Sequence, residues 1–482
     1  MNAGSTNFIL HNATIATGEG VRTGSVAVCG ERISHVWYPD TDGTVEFCGE
    51  RTAYSGLPDA FRRQFPEAGV HDLTGKTLMA GGIDAHVHFR EPGMTEKADI
   101  GTESLAALLG GVTSFMDMPN TNPPTVSAGR LADKLSAAAG RSWANYGFHI
   151  GATNTNLPEI EQIIKNDNPE SGKPGPEDFG GIKVFMGSST GNMLVDNAAA
   201  LEGIFRAKGK EVLVHCEDEQ IIRENLRAAH EKYGDDIPFR MHEEIRSRKA
   251  CIRSASKALE MAMDCGTRLH LLHVSTAEEI EMVRAAKQIN AEITAETSIN
   301  YLWFCDKDYE TAGSKVKCNP SIKTSRDRDA LREALRNGLI DTVGTDHAPH
   351  LENEKCRPYM TAPSGIPSIQ QSLPVLLTIA CMEDIPLSRI ASVFSENISR
   401  ILGIEDRGTI KAGNYADLVI VDTDKEFTVD RAGLRYKCGW TPYEGAVLKG
   451  WIETVYVNGV KAVADGRPCS TVPSGKKLTF KK

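Results

Sequence analysis

Residues 84–90 read DAHVHFR and set His86, His88 and Arg90 at every second position. In an extended strand, side chains at i, i+2 and i+4 share a face. One face would then carry two imidazoles and a guanidinium, while Ala85, Val87 and Phe89 turn the other way. Three basic groups side by side repel unless something lies between them. A metal held by neutral imidazoles, with an anionic ligand beyond it, is one resolution. A polar strand end at the surface is the other, and an HxH pair alone does not choose.

A metal site needs further ligands, and the chain offers candidates at regular intervals. From residue 77 onward, apolar or β-branched runs recur: TLMAGGIDAHVHF, VTSFMDMPN, WANYGFHIGAT, GGIKVFMGSS, EVLVHCED, RLHLLHVST, AEITAETS and DTVGTDHAPH. Helix-compatible stretches separate most of them. After the sixth run, Ser275 and Glu278 fit a capping box ahead of IEMVRAAKQI. Before the eighth, Ala330, Leu331, Ala334, Leu335 and Leu339 keep a helical rhythm. Strand–helix alternation implies parallel strands with right-handed crossovers. Eight such units predict a (β/α)8 TIM-type barrel, an α/β fold whose site lies at the C-terminal ends of the strands. His86, Asn120, Lys183, His215, His273 and Asp346 each fall late in a different run. His270 reads as a core or backbone-bonded histidine.

The flanks differ. Residues 5–40 and 407–465 are strand-rich with Gly and Asn-Gly turn signals, which predicts one small β-sandwich built from both ends of the sequence. The expected division is 1–77 for the first part of the sandwich, with an insertion at about 41–72 of no legible role. The barrel takes 78–400, and the second part of the sandwich with a tail takes 401–482. Residues 166–180 read as a surface loop, and the basic SGKKLTFKK as a solvated tail.

Composition narrows the function. The 482 residues suffice for one large and one smaller domain. A formal net charge of -10 argues against nucleic-acid binding. Eleven scattered cysteines without a CxxC pair, and no secretory signal in MNAGSTNFIL, indicate free thiols in a reducing cytoplasm. No run reaches the ~18 apolar residues of a membrane span.

Four histidines and an aspartate on a barrel rim suit a divalent metal such as Zn²⁺. Lys183 is the odd member, because an ammonium would be repelled there. Either it points outward, or it has reacted with CO₂ to give an anionic carbamate able to bridge two metals. The sequence alone leaves both open.

HVHFREPG (86–93), MPNTNPP (118–124), GIKVFMGSSTG (181–191), LVHCED (213–218), LHVST (272–276), KCNPSIK (317–323) and GTDHAPH (344–350) resemble the amidohydrolase superfamily, and within it the class I dihydroorotases. The resemblance implies two divalent metals, zinc by preference. His86, His88 and Asp346 would hold one, His215 and His273 the other, with carboxylated Lys183 as the bridge. It further implies that Arg90, Asn120, Asn319 and His350 bind the substrate, and that the backbone of 362–367 meets the ring's ureide edge. PSGIPSIQQSLP departs from the commoner class I wording, which leaves that loop's contacts open. Asp346 would serve as general base and then general acid in opening L-dihydroorotate to N-carbamoyl-L-aspartate, a reaction run in reverse in pyrimidine biosynthesis. Allantoinase and dihydropyrimidinase (hydantoinase) are the alternatives, and their substrates carry no ring carboxylate for Arg90. An inactive scaffold relative is the alternative from another class, although every ligand position is filled. A small-molecule substrate and a homodimer are expected, with no nucleic acid or membrane partner. Cys216 and Cys318 alternate away from the motif residues toward core packing, and His347 stands beside Asp346 as a supporting group.

Overall fold

A glycine pair decides where the two layers of the molecule part. In the computed structural model, which describes residues 7–168, 172–187 and 193–482, the run TLMAGGIDAHVHF is not one strand. Thr77–Ala80 joins the terminal sheet, and Gly82–Val87 opens the barrel. A Cβ at Gly81 would lie 2.1 Å from the Thr113 hydroxyl, and one at Gly82 would lie 2.3 Å from the Phe394 ring. Only glycine lets the chain pass between these neighbours.

Eight parallel strands follow, each buried on both faces: Gly82–Val87, Val112–Asp117, Asn145–Phe148 (continued by Ile150–Gly151), Gly181–Phe185, Glu211–His215, Leu269–Leu271, Ile293–Ser298 and Thr342–Gly344. Neighbours in this order pair in parallel register. The ring closes where His88 N donates to His347 O at 2.8 Å, beside a parallel bridge between Val87 and His347. Helices lie between the strands, as crossover connections require. The sixth strand's helix, Ala277–Ile289, is capped by Thr276 with Glu279, not by Ser275 with Glu278. Glu279 Oε2 also accepts from Ser275 N at 3.2 Å, so both serine and threonine attend the same carboxylate. The extended φ and ψ of Thr276 make it the cap.

Strands from both ends of the sequence share one nine-stranded sheet. Its path runs from Arg467–Pro468 through Val460–Ala464, Val447–Val457, Leu418–Thr428, Thr77–Ala80, Phe8–Thr17 and Gly20–Cys29 to Arg32–Trp37, with Gly69–Asp72 beside Phe8–Thr17. The 41–72 insertion forms a hairpin, Thr44–Phe47 with Glu50–Ala53, and a helix, Leu57–Gln64. Its Phe47, Leu57 and Phe61 pack on Ile9, Ala27 and Trp37, so it covers one face of that sheet.

The tail SGKKLTFKK is not solvated. Leu478 and Phe480 are buried in a cluster with Ile83, Ala85, Met116 and Ile401 beneath the barrel. Tyr146 N donates to Lys476 O at 2.9 Å and Leu478 N to Tyr146 O at 2.8 Å, which straps the segment to the third barrel strand. Lys477, Thr479 and Lys481, which alternate with the two buried residues, stay outside. Residues 1–6, part of the 166–180 loop, and the SSTG that ends the fourth-strand motif lie outside the described residues. Among those described, no helix is long and apolar enough to cross a membrane.

Candidate active site

The barrel strands bring the distant polar residues to one end. His86 belongs to the first strand and Lys183 to the fourth, His215 ends the fifth, and His273 and Asp346 follow the sixth and eighth. His86, His88, Arg90, Lys183, His215, His273, Asn319 and Asp346 line one cavity with Phe185, Ala348, Ser364 and Gly365.

Strand alternation accounts for His86 and His88 but not for Arg90. The strand ends at Val87, and Arg90 has φ 65°. His273 and Asp346 also have left-handed backbones, φ 40° and 48°. Such conformations are costly for residues with a Cβ and persist where surrounding structure holds them. Here all three turn their side chains into the same cavity.

His86 Nε2 and His88 Nε2 lie 3.3 and 3.1 Å from Asp346 Oδ1. These three groups offer ligand atoms within 4.8 Å of one another. Their outer nitrogens are engaged. His86 Nδ1 meets Glu296 Oε1 at 2.7 Å, and His88 Nδ1 meets Asn120 Oδ1 at 2.8 Å. Across the cavity, His215 Nδ1 and His273 Nε2 are 2.8 Å apart, and Glu217 Oε2 lies 3.1 Å from His215 Nε2. Burial pulls His88, His215 and His273 below the usual histidine range, so their rings are neutral. Imidazoles flanking a carboxylate, with His86 and His88 each steadied from behind by an acceptor, suit a divalent metal.

Lys183 is inside this cluster, not outward. Burial pulls it down to about 7, partly opposed by Asp346 and Glu296. Glu296 and Glu217, both fully buried, are the supporting residues that the sequence reading missed. Burial would raise Glu296, but His86 and His270 hold it well below the usual carboxylate range.

Two of the expected substrate contacts have other work. Asn120 does not line the cavity; its oxygen serves His88. His350 stands behind Arg90, 3.1 Å from its Nη2, with Lys97 Nζ 3.1 Å from the other ring nitrogen. Arg90 Nε donates to Pro349 O at 3.0 Å, which aims the guanidinium. Asn319 does line the cavity, and among the described residues its Oδ1 has no hydrogen-bond partner. His270 is interior and bonded to the Thr294 and Thr342 hydroxyls rather than to backbone. His347 supports the loop: Nε2 meets Glu103 Oε2 at 2.8 Å and Nδ1 accepts from Ser368 N at 3.0 Å. Cys216 and Cys318 are buried and take no part in the lining.

The amidohydrolase family model matches residues 77–462. A dihydroorotase of Methanosarcina acetivorans is 34% identical over 387 residues, covering 78% of this chain and 79% of its own. An allantoinase of Streptomyces avermitilis is 29% identical over 483 residues, covering 98% of each. Among solved structures, the L-hydantoinase (dihydropyrimidinase) of Arthrobacter aurescens superposes with a TM-score of 0.86 at 25% identity, covering 98% of this chain and 99% of its own.

Proposed function

The chain belongs to the amidohydrolase family, and on that premise we propose that it hydrolyses the ring amide of L-dihydroorotate to N-carbamoyl-L-aspartate, reversibly, in pyrimidine assembly in the cytoplasm. The observation that carries this reading is a buried guanidinium, Arg90, in the same cavity as His86, His88 and Asp346. A buried cation calls for a counter-charge. A ring carboxylate would meet the planar fork of Arg90 while the ring amide reaches the opposite end.

His86, His88 and Asp346 would hold one divalent metal, zinc by preference, and His215 and His273 a second, with Lys183 as a carbamate between them. Such metals, when bound, polarise an amide carbonyl and make hydroxide available near neutral pH. The chain's own part is positional and protic. Asp346 takes the proton of the attacking water and returns it to the departing ring nitrogen as the C–N bond breaks. Glu296 and Asn120 fix the tautomers of His86 and His88. Asn319 Oδ1 is placed to accept a ring N–H.

A second reading, an uncharged ring such as allantoin or a hydantoin, is favoured by the end-to-end match to the Streptomyces allantoinase. Ring opening of L-dihydroorotate, allantoin and dihydrouracil by the metal-loaded enzyme decides between them. Turnover of dihydroorotate alone, abolished in Asp346→Asn, is expected. Turnover of only an uncharged ring would overturn the substrate while leaving the metal cage.

A further inference from the structure

The wall of the cavity beyond Arg90 is backbone. Ser364 and Gly365 form it, and Gly365, at φ +147°, admits no side chain: a Cβ there would lie 2.4 Å from Ala348 O. Behind this thin wall stand two buried lysines outside the catalytic scheme. Lys355 Nζ donates to Lys317 O at 3.1 Å, Pro363 O at 2.9 Å and Gly365 O at 3.0 Å. Lys317 Nζ donates to Tyr359 O at 2.7 Å and Ala362 O at 2.6 Å. Together they gather five carbonyls, four of them on the 359–365 loop. Burial pulls Lys355 down to about 7 and Lys317 down to about 8, but the three acceptors around Lys355 call for three N–H groups, which the ammonium provides and the amine does not.

Carbonyls satisfy hydrogen bonds but do not cancel charge. Among the described residues, no carboxylate lies within 4.0 Å of Arg90, Lys317 or Lys355. The nearby acids are committed elsewhere: Glu354 to Lys97 at 2.9 Å, Glu217 to Arg246, and Asp346 to the two histidines. Lys323, also buried, donates to Arg246 O, Ser321 O and the Ser321 hydroxyl and lies in the field of Glu217, Glu243 and Glu279. His350 adds no compensation, because burial and its cationic neighbours keep it neutral. This end of the cavity therefore gathers buried cationic groups with no carboxylate in direct contact, Asp117, Asp346 and Glu354 acting on Arg90 only at longer range, a costly state that an incoming anion relieves.

We propose that Lys317 and Lys355 are specificity-determining residues: they mould the 359–365 wall and supply, through it, positive charge paired with no contacting carboxylate, by which the cavity prefers an anionic ring to a neutral one. This rests on the reading of the substrate as a ring bearing a carboxylate. It assigns part of that selection to residues that never touch the ligand. At short range and low dielectric, a charge behind a layer of backbone keeps its influence.

L-Dihydroorotate and dihydrouracil differ only by the carboxylate, so their comparison isolates charge from wall shape. Lys317→Gln keeps two N–H donors for two carbonyls and removes the charge; Lys355→Gln leaves one carbonyl short. In the metal-loaded enzyme each variant is expected to raise KM for dihydroorotate tenfold or more, with kcat within threefold. The KM of dihydrouracil, or its inhibition constant if it is not turned over, should stay within twofold. Lys317→Arg should restore the dihydroorotate KM. Equal losses for both rings, or no change for either, would overturn the proposal. Should Lys355→Gln not fold, Lys317→Gln carries the test alone. If the wild type does not open dihydroorotate, the substrate reading fails by itself. The lysines are then judged by dihydroorotate as an inhibitor: tenfold weaker inhibition in Lys317→Gln supports the charge role, and absence of inhibition in the wild type overturns it.

Discussion

The side-chain oxygen of Asn120 lies 2.8 Å from Nδ1 of His88. An amide oxygen can only accept, so His88 carries its proton on Nδ1 and presents a lone pair on Nε2 toward Asp346. Asn120→Ala removes that acceptor. The expected result is a metal affinity lower by about 10–100-fold, measured by chelator competition on folded protein. Unchanged affinity with a raised KM would instead return Asn120 to the substrate.

Lys183 links metal loading to pH. The amine, not the ammonium, reacts with CO₂, and burial brings Lys183 down to about 7. At pH 8 roughly nine-tenths of it is amine, and at pH 6 roughly one-tenth. Reconstitution of metal-free protein with zinc and bicarbonate should therefore be faster at pH 8 than at pH 6. Lys183→Ala should bind less metal at both and show no response to bicarbonate. Equal rates at the two pH values in the wild type would remove the carbamate from the site.

Much of the site could be read from the sequence because barrel topology converts order along the chain into position around a rim. The histidine pair at 86 and 88, Lys183, His215, His273 and Asp346 needed only their strands to be recognised. What the sequence hid were contacts across the barrel. Glu296 serves His86 from 210 residues away, and nothing near either residue announces it. Arg90 reaches the cavity by a left-handed backbone that no periodicity foretells. Asn120 and His350 could be placed at the rim, but not given their partners. The burial of the tail does have a signal in the sequence: Leu478 and Phe480 alternate with polar residues, as a half-buried extended segment requires.

That tail carries its own prediction. Phe480 is 1% exposed beneath the barrel and lies against Gly147 and Gly180. Phe480→Ala opens a cavity on the side away from the His86, His88 and Asp346 cluster and should cost about 3–5 kcal/mol. A lower denaturant midpoint with an unchanged m-value, and kcat retained at 25 °C, is the expected outcome. A stability within 1 kcal/mol of the wild type would show the strap to be loosely held.

Ala80 pairs with Leu418, and Thr77 with Val421. During translation, the edge formed by Thr77–Ala80 leaves the ribosome long before the strand that covers it, while the whole barrel is still being made. At about 5–20 residues per second that interval lasts tens of seconds. Throughout it the nascent chain displays an apolar strand with unpaired amides, a template for association with another chain. The same arrangement that ties the two ends together in the finished enzyme thus leaves its first strands in need of protection while the polypeptide is incomplete.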